Sequence, residues 1–176
     1  MIQTQYIPDL VGQVVAKVDT YFSTRTINPF AVSYDFGHYS EVNRNLTLKE
    51  GNPDKPLKYP LVWLVMDMEE SVGKLGVYAE VNMNLIIAVD TTPTLTMQER
   101  RDQKFLPVLY PIYARLLEEF KNSKAFQTAA VIQHTKIDRP YWGIQDAQGN
   151  GVANLFNDYM DAVQIKNLKL TVKNIC

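Results

Sequence analysis

One cysteine, two histidines and no long apolar run characterise this 176-residue chain by what it lacks. Cys176 stands alone, so no internal disulfide is available, and a thiol at a chain end is a poor place for a nucleophile. His38 and His134 are the only histidines, and neither has a second His or Cys at ligand spacing, which argues against zinc. No stretch approaches the ~18 consecutive apolar residues that a bilayer span needs. The first residues lack the basic region and apolar core of a secretory signal. The expectation is therefore a soluble protein made in a reducing cytoplasm, with no membrane attachment. Asn45-Leu46-Thr47 fits a glycosylation acceptor, but without secretion the match has no consequence. Charge of one sign is lacking too. With 18 basic and 19 acidic residues the net charge is −1, so there is no basic excess with which to grip nucleic acid.

Apolar content is ample. Hydrophobic residues make up 46% of the chain, enough for a sizeable core without disulfide or metal. The length fits one domain of about 100–200 residues, so residues 1–176 are expected to form a single domain.

Hydrophobic periodicity orders the chain. In "YIPDLVGQVVAKVDTYFST", Leu10, Val14, Val18 and Tyr21 recur at helical spacing. Pro8 and Asp9 suit the first turn. Ala31 to Phe36 and Val42 to Leu48, with Gly37 between them, are expected to form a strand, a turn and a second strand. "EGNPDKP" is a loop. Leu61 to Met66 is continuously apolar and reads as a strand covered on both faces, with Pro60 at its start. "ESVGKLG" reads as a turn or loop. From Val77 to Leu85 apolar and polar residues alternate, then Leu85 to Val89 is wholly apolar, giving a long strand that runs deeper at its far end.

A second helix follows Thr96, which forms a capping box with Glu99. Phe105, Leu109, Ile112, Leu116 and Phe120 make its apolar stripe. Pro107 and Pro111 interrupt it and predict a bend, or a restart near Pro107. Ala129 to Ile137 reads as a strand. Residues 138–161 read as a long irregular loop carrying Tyr141, Trp142, Phe156 and Tyr159. In the last strand Val163 and Ile165 alternate in one phase, and Leu168, Leu170 and Val172 in the other. The slip predicts a β-bulge at Lys166-Asn167. The sum is an α+β fold: a mostly antiparallel sheet with two main helices packed on one face.

Few residues suggest chemistry. Asp67, Glu69 and Glu70 follow the apolar run, and Asp67 with Glu69 would share one side of an extended strand. Such a pair can hold Mg²⁺ or share acid–base work. The preferred reading is that the three acids end a core strand, solvate the following loop and discourage edge pairing. Pro53-Asp54 with Glu80-Val81-Asn82 matches a metal-dependent nuclease pattern only in part, because Asn82 stands where the water-orienting Lys belongs. No phosphate loop or Gly-x-Ser-x-Gly elbow occurs. His134 is expected to be a hydrogen-bonded structural residue. Arg139, Tyr141 and Trp142 form the one cluster of basic and aromatic residues, which suits a stacking ligand or, equally, a protein contact.

The order of elements resembles a known family. An N-terminal helix and a hairpin precede Tyr-Pro-x-x-Trp at Tyr59 to Trp63. A long strand ending Ala-Val-Asp at Ala88 to Asp90 leads into "ERRDQKFLPVLYPIYARLLEEF", and "VQIKNLKLTV" closes the chain. This arrangement is similar to the tail terminator and tail-completion proteins of tailed bacteriophages, and to the related neck proteins of the head–tail junction. The resemblance implies a tail-terminator-like α+β fold and a closed homo-oligomeric ring, with neck, portal or tail proteins as neighbours. DNA would pass through the channel without specific binding. It also implies no enzymatic activity, cofactor or metal, and a place in the virion after synthesis in the bacterial cytoplasm. Residues 138–161 are an addition to the compact family plan. Arg139, Tyr141 and Trp142 would then lie at a contact between subunits, and the acids at 67, 69 and 70 in a loop facing solvent or the lumen. The alternatives are a small metal-dependent hydrolase using the acids at 67 and 69, or a monomeric module whose long loop holds a ligand.

Overall fold

The computed structural model of the chain describes residues 6–49, 58–72, 78–128, 131–142 and 158–173. Helix α1 (Ile7–Ser23) begins with Pro8 and Asp9 in its first turn and buries Leu10, Val14, Val18 and Phe22. The chain then turns back to strand β1 (Ser33–Gly37), which α1 holds by two bonds. The Tyr34 hydroxyl donates to the Pro8 carbonyl at 2.8 Å, and the Val32 N–H donates to Asp19 Oδ1 at 2.7 Å.

Val42 to Leu48 is not the second strand of a hairpin but part of helix α2 (Tyr39–Lys49). The His38 carbonyl accepts from the Glu41 and Val42 N–H groups to start it. Val42 and Leu46, four residues apart, are buried, whereas Leu48 is 53% exposed. A strand would have put all three on one face; a helix does not. Burying Val42 and Leu46 contributes about 1.5–3 kcal/mol each, which outweighs the β-branched and aromatic composition. The Asn45 side-chain amide donates to Asp35 Oδ2 at 3.1 Å, so that residue ties α2 to β1.

Strand β2 (Leu61–Val72) lies parallel to β1 over Leu61 to Val65. Strand β3 (Tyr78–Asp90) is antiparallel to β2. Thr96 and Glu99 form the expected capping box at the start of α3 (Met97–Arg100). The helix then neither breaks nor restarts at Pro107. It passes through a π-helical segment (Arg101–Leu109) into α4 (Tyr110–Asn122). There the Tyr110 N–H bonds the Phe105 carbonyl five residues back. Widening the turn is how the chain passes a proline that has no N–H to give. Pro111 then falls in the first turn of α4.

The expected strand at Ala129 to Ile137 is displaced. Strand β4 (Phe126–Gln127) pairs with the end of β6 (Met160–Lys173), and β5 (Thr135–Trp142) pairs with its beginning. Residues 129–130 lie outside the described residues. Pro140 does not end β5, since a register shift between Arg139 and Trp142 absorbs it. The expected loop at 138–161 thus starts later, and residues 143–157, with Phe156, lie outside the described residues. So do Asp54 and Cys176.

The sheet order is β1-β2-β3-β6-β4, with β5 also on β6; only the β1–β2 pair is parallel. The bulge appears where the pattern predicts it. Asn167 has φ +54°, β3 and β6 shift register between Met83 and Leu85, and the Asn167 N–H donates to Asn84 Oδ1. One face carries α1 and α4 over Val62, Leu64, Met83, Ile87, Val163 and Leu170. On the opposite face α2 sets Val42 and Leu46 against Trp63, Val65, Ile86 and Ala162. The α+β expectation holds: a mixed, mostly antiparallel sheet with its two main helices on one side. Among the described residues no helix is long and apolar enough to cross a membrane.

The β1–α2 corner rests on Gly37, at φ +141°, whose carbonyl accepts from the buried Trp63 indole at 3.0 Å. A Cβ there would lie 2.6 Å from Glu41 Oε2, which a flexible side chain can vacate, but the backbone angle remains costly. Gly37→Ala is expected to lower stability by about 1–3 kcal/mol, read from the urea midpoint.

Candidate functional site

The three acids do not terminate β2. The strand runs on to Val72, pairing Glu69 with Asn82, Glu70 with Val81 and Ser71 with Glu80. This corrects the expectation of a strand end and a loop. A register shift between Val65 and Glu69 marks where the strand leaves its covered half. Strand β1 reaches only Val65, so beyond it the outer edge of β2 has no strand partner among the described residues. Hydrogen bonds to β3 sustain the strand from its inner side, and water on the outer side accommodates the charges. The Asp67 side chain lies outside the described residues. Glu69 and Glu70 are exposed.

Residues facing away from α1 and α4 in this half of the sheet line a hollow of about 380 Å³, among them Glu69, Ser71, Glu80, Asn82, Lys169 and Thr171. Its charges are mixed in sign. No group of three His, Cys, Asp or Glu side chains with metal-binding geometry occurs among the described residues. A second, more apolar hollow of about 560 Å³ lies between the end of α1 and the prolines of the long helix, lined by Tyr21, Ile27, Leu106, Pro107 and Pro111. The Arg115 guanidinium sits 4.1 Å from the Tyr21 ring centre at its rim.

Arg139, Tyr141 and Trp142 share strand β5 but do not form one patch. Each is half-buried. Arg139 Nε donates to Gln164 Oε1 at 3.3 Å. Trp142 pairs with Met160 and packs its ring 6.0 Å from Trp63 and 5.9 Å from Tyr39, under α2. Tyr141 turns the other way at φ +54°, with its ring 3.5 Å from the Arg100 guanidinium and its hydroxyl donating to the Pro93 carbonyl. Two of the three therefore anchor β5 to the body of the protein.

Arg100 is the residue that sequence reasoning missed. It is fully buried. Nη1 donates to Asp161 Oδ1 at 2.7 Å and to Thr91 Oγ1 at 2.8 Å. Nη2 donates to the Thr92 carbonyl at 2.6 Å, and Nε to the Leu95 carbonyl at 3.2 Å. The Tyr141 N–H also donates to Asp161 Oδ1, while Oδ2 has no hydrogen-bond partner among the described residues. One guanidinium thus joins the end of β3, the start of the long helix, β5 and β6. No periodic signal marks Arg100, since it lies off the apolar stripe and its partner Asp161 is 61 residues away in sequence.

His134 is hydrogen-bonded as expected, though it precedes β5 and is not part of a strand. Its Nδ1 lies 2.8 Å from the Ile132 carbonyl, which only accepts, so Nδ1 carries the proton. Nε2 then accepts from the Tyr113 hydroxyl at 2.6 Å.

Four tyrosines have hydroxyl pKa values pushed above the ordinary one. Burial is the main cause for each. For Tyr59 it is reinforced by Asp158, whose Oδ2 accepts its hydroxyl at 2.9 Å, and for Tyr34 by nearby Asp35 and Asp9. Tyr110 and Tyr113 feel Asp138. Glu99 moves the other way, held down by the Thr96 N–H and hydroxyl. No family model matches the chain, and no curated protein matches its sequence.

Asp161→Ala strands the Arg100 charge in the interior and is expected to cost about 3–5 kcal/mol. Replacing both partners, as Arg100→Met with Asp161→Leu, is expected to cost much less, which a double-mutant cycle in urea would measure. The tyrosines predict alkaline lability. A raised folded pKa gives stability that is present below the unfolded value of 10.0 and lost as pH rises beyond it. Urea titrations at pH 8 and 11 should show that loss, and Tyr34→Phe with Tyr59→Phe should flatten it. Equal slopes in both proteins would discount the tyrosines.

Proposed function

We propose that this chain is a structural protein of a tailed-bacteriophage virion, one subunit of a ring that joins head to tail or caps the tail tube. The reading starts from the family resemblance in the order of elements. The geometry that supports it best is the sheet's two unlike open edges among the described residues, the outer half of β2 and the outer side of β5. A heterologous ring needs two different surfaces on opposite sides of one subunit. Arg139, on β5, belongs to such a contact in this reading. Tyr141 and Trp142 support the contact from within by fixing that strand to Arg100 and Trp63. The mixed charges of the polar hollow and the net charge of −1 suit a protein past which DNA slides without specific binding. Neighbouring portal, neck or tail proteins are the other partners.

Deleting the gene from the phage that carries it tests the proposal. The expected outcome is unjoined heads and tails, or tails of uncontrolled length, by electron microscopy, with the protein in a ring at one end of wild-type tails. Intact infectious particles without the protein would overturn it. Added Mg²⁺ or Mn²⁺ is expected to leave the melting temperature unchanged; a rise of several degrees would favour the hydrolase alternative at the acids on β2.

A further inference from the structure

Open strand edges present unpaired backbone donors and acceptors, and proteins normally blunt them with charge or proline. Both edges left open among the described residues carry charge, acidic on β2 and net basic on β5, where Asp138 stands between Lys136 and Arg139. The free half of β2 bears Glu69 and Glu70, neither in an ion pair among the described residues, with Glu80 on the adjoining strand. Strand β5 bears Lys136 and Arg139 with Asp138 between them, and Pro140 removes a donor from its outer edge. The terminal nitrogens of Arg139 make no hydrogen bond among the described residues, and Lys136 Nζ reaches Asp138 at 2.6 Å with donors to spare.

Strand direction makes the two edges compatible. β2 is antiparallel to β3, β3 to β6, and β6 to β5, so β5 runs opposite to β2. A second copy set beside the free β2 edge in the same orientation, without being turned over, brings its β5 alongside antiparallel. The helical layers then stay on one side of a continuous sheet. The side chains also agree by face. Glu70 pairs with Val81 and Lys136 with Ile165, both on the side of α1 and α4. Glu69 pairs with Asn82 and Arg139 with Ala162, both on the opposite side. In the register that sets Glu70 opposite Lys136, Glu69 lies opposite Ile137 and diagonal to Arg139, within reach of a long side chain.

From this we infer that copies of this chain associate head to tail by edge pairing, Glu69 to Ser71 of the free half of β2 docking antiparallel on Thr135 to Ile137 of β5 of the next copy, with Arg139 reaching across diagonally. The inference rests on the reading of the protein as a self-assembling subunit and names its contact. The charges also disfavour one wrong pairing, because two β2 edges repel.

Charge reversal tests it. E69K/E70K and K136E/R139E should each abolish the oligomer seen for the wild type by light scattering, with unchanged circular dichroism and melting. A one-to-one mixture of the two variants should reassemble, because each then meets an edge of opposite sign. In a C176S background, S71C/T135C should give disulfide-linked multimers on a non-reducing gel, since those residues face each other in the register. Assembly of both charge variants like the wild type, or an absence of linked multimers in protein and in particles alike, would overturn the edge contact. Rings in particles that tolerate the charge reversals would leave the virion role standing without this contact. Edge-linked multimers of a protein missing from particles would do the opposite.

Discussion

The pairing of β3 with β6 sets the layer to which every other element belongs. It runs from Tyr78 opposite Lys173 to Asp90 opposite Met160 and carries the long apolar stretch Leu85 to Val89 through the centre. Side chains alternate along a strand, so a slip of one residue would turn each of them to the wrong face. The bulge at Asn167 makes that slip once and deliberately. It lets Ile165 and Leu168, three apart in sequence, lie in the same core. Without it Leu168, Leu170 and Val172 would face the wet hollow, and α1 and α4 would lose half their floor. Asn167 suits the position because asparagine tolerates positive φ, and its N–H finds the Asn84 side chain.

What could be read from the sequence was what depends on local pattern. The first helix, the alternation of β3, the capping box and the bulge each leave a periodic or short-range mark. The misreadings arose where tertiary context decides. Val42 to Leu48 fits a strand by composition, and only the uncovered face around Trp63 selects the helix. The acids after Met66 seem to end a strand because a charge is costly in a sheet covered on both faces. Nothing in their neighbourhood says that β1 ends at Gly37, opposite Val65, and leaves Glu69 and Glu70 exposed. Pro107 suggested a bend or a restart, and the chain carries on past it by widening a turn. Arg100 was invisible because its partner Asp161 is 61 residues away, and a charged residue at a helix start reads as solvated. Of the candidate contact residues, Arg139 is half-buried against Gln164, and the inward roles of Tyr141 and Trp142 depend on Arg100 and Trp63.

The buried Arg100–Asp161 pair does little for net stability by itself, since desolvation of two charges offsets most of their attraction. Its value lies in geometry. The guanidinium's hydrogen bonds converge from β3, the turn before α3 and β6, and its flat face holds Tyr141 of β5. A planar group with donors at fixed angles permits only one arrangement of these parts. Strand β5 would otherwise be a peripheral strand, weakened by Pro140 and a register shift. Locked to Arg100 at one end and to β6 along its length, it becomes a rigid edge. If copies pair along this edge as proposed, such rigidity leaves less freedom to be lost on contact.

An edge that pairs strongly in isolation is hazardous, since it pairs with anything. Charged edges of opposite sign reconcile assembly with that hazard. Each contact is short, limited by Val72 on one strand and Pro140 on the other, and surface ion pairs contribute only about 0–1 kcal/mol each. Two copies meeting through it would part readily. In a closed ring every copy is held on both sides, and opening the ring requires leaving one contact while the other keeps the partner near. The second contact then acts at a high effective concentration. In the proposed ring such contacts are weak singly and become stable together once the ring closes.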